Sequence, residues 1–107
     1  MRDNPLVDKS RAFALKMMSL CKETKHPLVN QILRSSTSIG ANIHEANYAH
    51  SRADFIAKMQ IALKECYETE YWLILFRDSE IVLDKQALDD CLELKRMLIA
   101  SCLTAKA

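Results

Sequence analysis

The sequence predicts an all-α protein, and three observations support this fold class. The 107 residues include one glycine and two prolines, too few for the turn every ~8–12 residues that a β-sandwich or barrel needs. Apolar residues recur at spacings of three and four over long stretches, as on one face of a helix. Half of the residues are apolar, so residues 1–107 can bury a core as a single domain.

The first helix is expected to begin beside Asn4, whose side chain can accept a hydrogen bond from a free backbone N–H. Pro5 then suits the first helical position. The helix should end near residue 25. Its apolar residues form two adjoining stripes, namely Leu6, Phe13, Met17 and Leu20, and Val7, Ala14, Met18 and Cys21.

The second helix is expected to begin at Pro27 and to include the segment RSSTSIGANIHEA, residues 34–46. Serine, threonine and glycine normally indicate a loop, yet Ile39 and Ile43 continue the spacing that Ile32 begins. The segment is therefore predicted to be helical, at a propensity cost of about 0.5–1 kcal/mol per residue. Ser38 and Gly40 should let a neighbouring helix approach closely. A phosphate-binding loop would need more glycines than this chain has.

The third helix gives the strongest periodic signal and should begin at Ser51, in a variant of the capping box. It should run for about 26 residues, or ~39 Å. The fourth helix should begin with Asp84 as its N-cap. The inward faces predicted for these helices are Phe55, Met59, Ala62, Cys66, Thr69, Leu73 and Phe76, then Leu88, Cys91/Leu92, Leu98/Ile99 and Cys102/Leu103.

Short connections between these helices predict antiparallel neighbours, and thus an up-down-up-down four-helix bundle. A bundle of this kind buries about one stripe per helix, whereas the first helix is apolar almost all round. The excess apolar surface predicts contact with another subunit. The residues concerned are Leu6, Val7, Phe13, Leu15, Met17, Met18 and Leu20.

The four cysteines fall on apolar stripes and none is in a CxxC pair, as expected of buried, reduced thiols. The N-terminal segment MRDNPLVDKS lacks the apolar core of a signal peptide. No apolar run approaches the ~18 residues of a transmembrane helix. We therefore expect a cytoplasmic protein without membrane contact.

No constellation for metal binding or catalysis stands out. The only Glu-x-x-His, Glu23–His26, directly precedes a proline and should lie in a turn, so neither metal nor cofactor is expected. An alternative interpretation is an enzyme that uses buried polar groups of the second and third helices, Glu45 and Glu70. Glu70 can otherwise bond a hydroxyl of the second helix or Arg34 in a structural network.

The charge distribution offers one candidate surface for nucleic acid. The net charge is only +1, but residues 1–26 hold six Lys/Arg against three acids. Arg2, Lys9 and Lys16 recur every seven residues, and further cations extend the row. A solvated face is the simpler explanation for this pattern. The complete candidate set is Arg2, Lys9, Arg11, Lys16, Lys22 and Lys25.

Two segments, QILRSSTSIGANIHEA and SRADFIAKMQIALKECYETEYWL, carry a family resemblance. They resemble the small four-helix proteins encoded in intervening sequences of bacterial 23S ribosomal RNA genes. The accessory variability protein of diversity-generating retroelements is similar to that group. Ala46 departs from the pattern, since a glycine is usual there. The matching positions are Gln31, Ile32, Arg34, Ser38, Ile39, Asn42, Ile43, Glu45, Ser51, Asp54, Phe55, Ile61, Ala62, Glu68 and Glu70.

The resemblance implies a homopentamer with a central channel and no established enzymatic activity. For the retroelement relative it implies binding to a reverse transcriptase and to nucleic acid. Arg34, Ser38, Asn42, Glu45 and Glu70 are then structural residues of the family motif. Residues and resemblance together predict a non-enzymatic, ring-forming scaffold that contacts RNA or a nucleic-acid-processing protein.

Overall fold

The computed structural model describes residues 4–81 and 83–107. Within these ranges the chain forms α1 (Pro5–Glu23), α2 (Val29–Ala46), α3 (Arg52–Asp78) and α4 (Gln86–Lys106), and no strand. Each helix packs on its neighbours in sequence, and α1 also packs on α4. Across the described residues, α1 does not contact α3 and α2 does not contact α4. The helices therefore occupy the corners of a square.

Side-chain pairs between the helices give their relative directions. Along α1, Lys9 pairs with Glu93 and Lys16 pairs with Asp90, so α4 runs the opposite way. Between α2 and α3, Arg34 pairs with Glu65 whereas Glu45 pairs with Lys58, which again requires opposite directions. The predicted all-α bundle with antiparallel neighbours is confirmed.

Two of the predicted helix caps are present. The Asn4 side chain accepts a hydrogen bond from the Leu6 N–H at 3.0 Å, and Ser51 Oγ accepts one from the Asp54 N–H at 3.1 Å. The N-cap of α4 is Lys85 and not the predicted Asp84, because the helix begins one residue later than expected, at Gln86. Asp84 Oδ1 still accepts a hydrogen bond from the Gln86 N–H at 2.9 Å.

The predicted start of α2 at Pro27 was two residues early. The Val29 N–H donates to the His26 carbonyl at 3.0 Å, which closes a turn over Pro27 and Leu28. His26 Nδ1 accepts the Leu28 N–H at 3.1 Å, so the imidazole satisfies a donor that the helix leaves free. The helix itself begins at Val29.

The segment RSSTSIGANIHEA is helical, as Ile39 and Ile43 indicated; both are buried with Ile32. The most crowded small residues are Ser35 and Ser36, which are fully buried, whereas Ser38 is only half-buried. Their hydroxyls donate to backbone carbonyls one turn earlier, so these buried polar groups have hydrogen-bond partners.

Gly40 faces α1. A Cβ at this position would lie 3.4 Å from Ser10 Oγ and 3.5 Å from the Ser10 carbonyl oxygen, which is ordinary van der Waals contact. The close approach expected at Gly40 is therefore between α1 and α2.

All four cysteines are buried free thiols, as their positions on the apolar stripes predicted. Cys66 of α3 and Cys91 of α4 face each other, with 3.9 Å between the sulfur atoms. The hydrogen bond with Cys66 and burial raise the pKa of the Cys91 thiol. Burial likewise raises the pKa values of Cys21 and Cys102. Such thiols are poor nucleophiles and serve the core as small apolar groups.

Candidate interaction surfaces

The basic residues predicted on α1 fall on two different sides of the helix. Lys9 and Lys16 face α4, where Lys9 pairs with Glu93. Lys16 Nζ lies 3.0 Å from Asp90 Oδ2 and 3.3 Å from Asp84 Oδ2. These carboxylates neutralise the two lysines, so neither is the free cation that a nucleic-acid surface requires.

The ion pairs of Lys16 also shift pKa values. Burial disfavours its ammonium, but hydrogen bonds to Asp90 and Asp84 outweigh burial and raise the pKa of Lys16. The pKa of Asp84 is lowered, first by the backbone N–H of Gln86 and then by Lys16. Both charged forms are thus favoured in the folded protein.

Arg11, Lys22 and Lys25 are exposed and have no ion-pair partner among residues 4–81 and 83–107. Leu15 and Met18 lie between the first two at helical spacing, and they are 50% and 54% exposed. We call Asp8, Arg11, Leu15, Met18 and Lys22 the α1 outer stripe. The predicted Arg2 lies outside the described residues.

A second exposed stripe follows α3. Tyr67 and Leu75 are exposed, Tyr71 is 58% exposed, and Lys64 and Asp78 lie at either end. These five residues form the α3 outer stripe. Since α1 and α3 are at diagonal corners of the bundle and do not contact each other, their outer stripes lie on different sides of the molecule. The exposed residues of α1 agree with its predicted excess of apolar surface.

The aromatic residues of α3 are held in place by neighbouring side chains. The Tyr71 ring meets the edge of Trp72 with 5.2 Å between centroids. Lys95 Nζ lies 5.6 Å from the centre of the Tyr67 ring, in the range of a cation–π contact. Each tyrosine therefore presents its remaining surface to solvent in a defined orientation.

Glu45 and Glu70 do not form a common site. Glu45 is not buried as proposed: its side chain is 55% exposed and pairs with Lys58 at 3.1 Å. Glu70 pairs with Lys95 of α4 at 2.8 Å, so the suggested bond to Arg34 or to an α2 hydroxyl was wrong. The reason is rotational: Glu70 lies on the side of α3 that faces α4, away from α2.

Arg34 instead joins a polar cluster between α2 and α3. It pairs with Glu68 and, at 3.3 Å, with Glu65. Glu68 also accepts the Trp72 indole N–H at 3.0 Å. The Trp72 hydrogen bond, followed by Arg34, lowers the pKa of Glu68. The sequence signal for these partners was the three-residue spacing of Glu65 and Glu68.

The other motif residues have local structural contacts. Asn42 Nδ2 donates to the Ser38 carbonyl at 2.9 Å, one turn earlier on α2. Among residues 4–81 and 83–107, no group of three or more His, Cys, Asp or Glu side chains is arranged to hold a metal ion. Nor does any helix in that part of the chain have the length and apolarity to cross a membrane.

The 23S rRNA-intervening sequence protein family model matches residues 2–100. A solved structure from Bacteroides thetaiotaomicron VPI-5482, a protein with unknown function from the S23 ribosomal protein family, is 45% identical. The similarity covers 91% of this chain and 97% of that one, with a TM-score of 0.85. No curated protein matches. The family match extends over nearly the whole chain and agrees with the four-helix fold. The protein therefore belongs to the 23S rRNA-intervening sequence protein family.

Proposed function

We propose that the protein is a non-enzymatic helical scaffold that self-associates and contacts RNA or a nucleic-acid-processing protein. The observation that carries this proposal is the pair of exposed apolar stripes on α1 and α3. Contiguous exposed apolar side chains rimmed by charges are typical of protein–protein contact sites. The buried thiols fit a reducing compartment and support a cytoplasmic location.

The arrangement of the acidic residues supports binding over catalysis. A general acid or base must lie within reach of a substrate that other groups hold. Glu45 and Glu70 are each engaged in a separate ion pair, one with α3 and one with α4. The alternative enzymatic hypothesis thus lacks a convergent site at the residues on which it depended.

Self-association through two different faces is heterologous and produces either a closed ring or an open filament. We expect a ring, with five subunits as the favoured number. Sedimentation equilibrium at micromolar concentration should therefore give a multiple of the 12.2 kDa chain mass, close to five. A mass of one chain across the micromolar range contradicts the scaffold proposal.

Direct binding of RNA is a second candidate, favoured by the exposed, unpaired cations Arg11, Lys22 and Lys25. Lys25 follows the end of α1 and is not part of the α1 outer stripe, so it is the cation of this set that assembly leaves free, and a ring repeats it. Binding should be electrostatic, tolerant of sequence and steeply salt-dependent. Fluorescence anisotropy with a labelled RNA oligonucleotide should show binding at ~50 mM salt and much weaker binding at ~200 mM.

Matched variants test which cations act on RNA. The Lys25→Gln variant should weaken binding, because Lys25 is exposed and lies outside the α1 outer stripe. Lys9→Gln should leave it nearly unchanged, because Glu93 already neutralises Lys9. Equal effects of both variants contradict the assignment to the free cations. Failure of the wild type to bind at ~50 mM salt removes the RNA candidate and leaves a protein partner.

A further inference from the structure

We infer that the two stripes bind each other between copies: the α1 outer stripe of one copy packs in parallel on the α3 outer stripe of the next. This inference rests on the proposed self-association and names the contact that produces it. The partner is therefore a second copy of this chain. Charge complementarity between the two stripes supports that choice over an unrelated protein.

The two stripes match in length and in the order of their residues. Leu15 and Lys22 are seven residues apart on α1, and Tyr71 and Asp78 are seven apart on α3, which is ~10.5 Å along either helix. With Leu15 opposite Tyr71, a parallel arrangement brings Lys22 opposite Asp78. Met18 then lies beside Leu75.

The other half of the stripes matches in the same register. Asp8 of one copy lies opposite Lys64 of the next, and Arg11 lies opposite Tyr67, where a guanidinium can stack on the ring. Opposite charges therefore meet at both ends, with apolar and aromatic side chains between them. Asp78 already has Arg77 at 3.0 Å, but both side chains are more than half exposed. The carboxylate therefore remains accessible to Lys22 of another copy.

An antiparallel arrangement of the two stripes would place like charges opposite each other. With Leu15 still opposite Tyr71, it brings Lys22 opposite Lys64 and Asp8 opposite Asp78. Like charges then meet at both ends, and such juxtaposition selects against the wrong orientation. The charges thus favour the parallel orientation.

The parallel orientation agrees with the topology of the bundle. Because sequential neighbours are antiparallel, α1 and α3 of one chain run in the same direction. In a ring whose axis follows the bundle, every copy points the same way, so α1 of one copy is parallel to α3 of the next. A contact between different faces is also the heterologous kind that cyclic symmetry with more than two subunits requires.

The test uses two variants, each with one stripe disabled. Leu15→Glu/Met18→Glu removes the α1 stripe, and Tyr71→Glu/Leu75→Glu removes the α3 stripe. These positions are exposed, so both variants should retain far-UV circular dichroism and cooperative unfolding. By sedimentation, each variant alone should be monomeric at concentrations where the wild type assembles. An equimolar mixture should form a one-to-one dimer, because each variant retains the face that the other needs.

A charge exchange tests the register. Lys22→Glu and Asp78→Lys should each raise the dissociation constant of assembly at least about tenfold. The double variant Lys22→Glu/Asp78→Lys should recover most of the loss. No recovery in the double variant overturns the parallel register.

The remaining outcomes separate the two proposals. A monomeric wild type overturns both the self-association and this contact. If the wild type assembles and the stripe variants assemble equally well, this contact is wrong and self-association stands. If both variants are monomeric but do not combine, the heterologous pairing of α1 with α3 is wrong.

Discussion

The interface between α2 and α3 and the interface between α1 and α4 are held together in different ways. Between α2 and α3, short side chains allow close packing, and Thr69 Oγ1 lies 2.8 Å from Ser35 Oγ in the buried centre. Between α1 and α4, Lys9 pairs with Glu93 and Lys16 pairs with Asp90, and Lys16 also lies near Asp84, which precedes α4. A groove of about 200 Å³ remains beside these pairs.

This difference indicates which contacts stabilise the bundle under different salt conditions. Close packing of buried groups is insensitive to salt, and a change of one methylene is felt there. Exposed ion pairs each contribute at most about 1 kcal/mol and are screened by salt. Ion pairs of Arg34 and Glu45 also join α2 to α3, so the difference between the interfaces lies in the buried contact of Thr69 with Ser35, which salt does not screen.

The largest expected effect comes from overpacking the α2–α3 interface. Ser35→Leu adds three carbon atoms at a position without free space beside Thr69, and should destabilise the protein by about 1–3 kcal/mol. The urea midpoint from far-UV circular dichroism measures the loss. Ser38→Leu is the matched control on the same helix and should lose less than half as much, because Ser38 is only half-buried. Equal midpoints for the two variants contradict the assignment of close packing to Ser35.

A smaller effect is expected from an ion pair between α1 and α4. Lys16→Met keeps the aliphatic stem and removes the charge near Asp84 and Asp90, so the free energy of unfolding should fall by less than about 1 kcal/mol. The difference from wild type should shrink between ~0.05 M and ~1 M sodium chloride, as screening weakens the wild-type pairs. A salt-independent difference in urea midpoint shows that packing of the stem, and not charge, is responsible.

The smallest effect concerns alkaline pH. The folded-state pKa of Lys16 is raised above its ordinary value of 10.5. The contribution of the Lys16 ion pairs to the free energy of unfolding is therefore complete below pH 10.5. It is lost as pH rises through the raised pKa. The Lys16→Arg variant keeps its positive charge above pH 10.5. Its free energy of unfolding should therefore fall less than that of the wild type in this range. Other titrating groups are common to both proteins and cancel in the comparison. Identical dependence of the two urea midpoints on pH contradicts a role for this ion pair.

Periodicity within single helices predicted most of the fold. The helical spacing of the apolar residues Ile32, Ile39 and Ile43 identified α2 as helical despite its serines and glycine. The caps at Asn4 and Ser51 followed from residue types alone. The start of α2 was misplaced because the His26 side chain and carbonyl stabilise a turn over Pro27 and Leu28, which composition does not indicate.

The contacts between helices were harder to predict, because they depend on how each helix is rotated about its axis. The seven-residue spacing of Lys9 and Lys16 indicated a common face, but not that acids of α4 lie against it. Glu70 was assigned to the wrong neighbour for the same reason. The unpaired Arg11 and Lys22 were in the predicted basic set, and only the fold distinguishes them from the neutralised lysines.

The hydrogen bond from Trp72 to Glu68 makes the α2–α3 interface directly visible to fluorescence. Trp72 is the chain's single tryptophan, and its half-buried indole lies in the polar cluster with Arg34. Its emission therefore reports on the α2–α3 interface, whereas far-UV circular dichroism averages over all four helices. If α1 separates first in alkali, ellipticity will fall before the emission shifts to the red. Coincident curves will instead show that the four helices unfold as one cooperative unit.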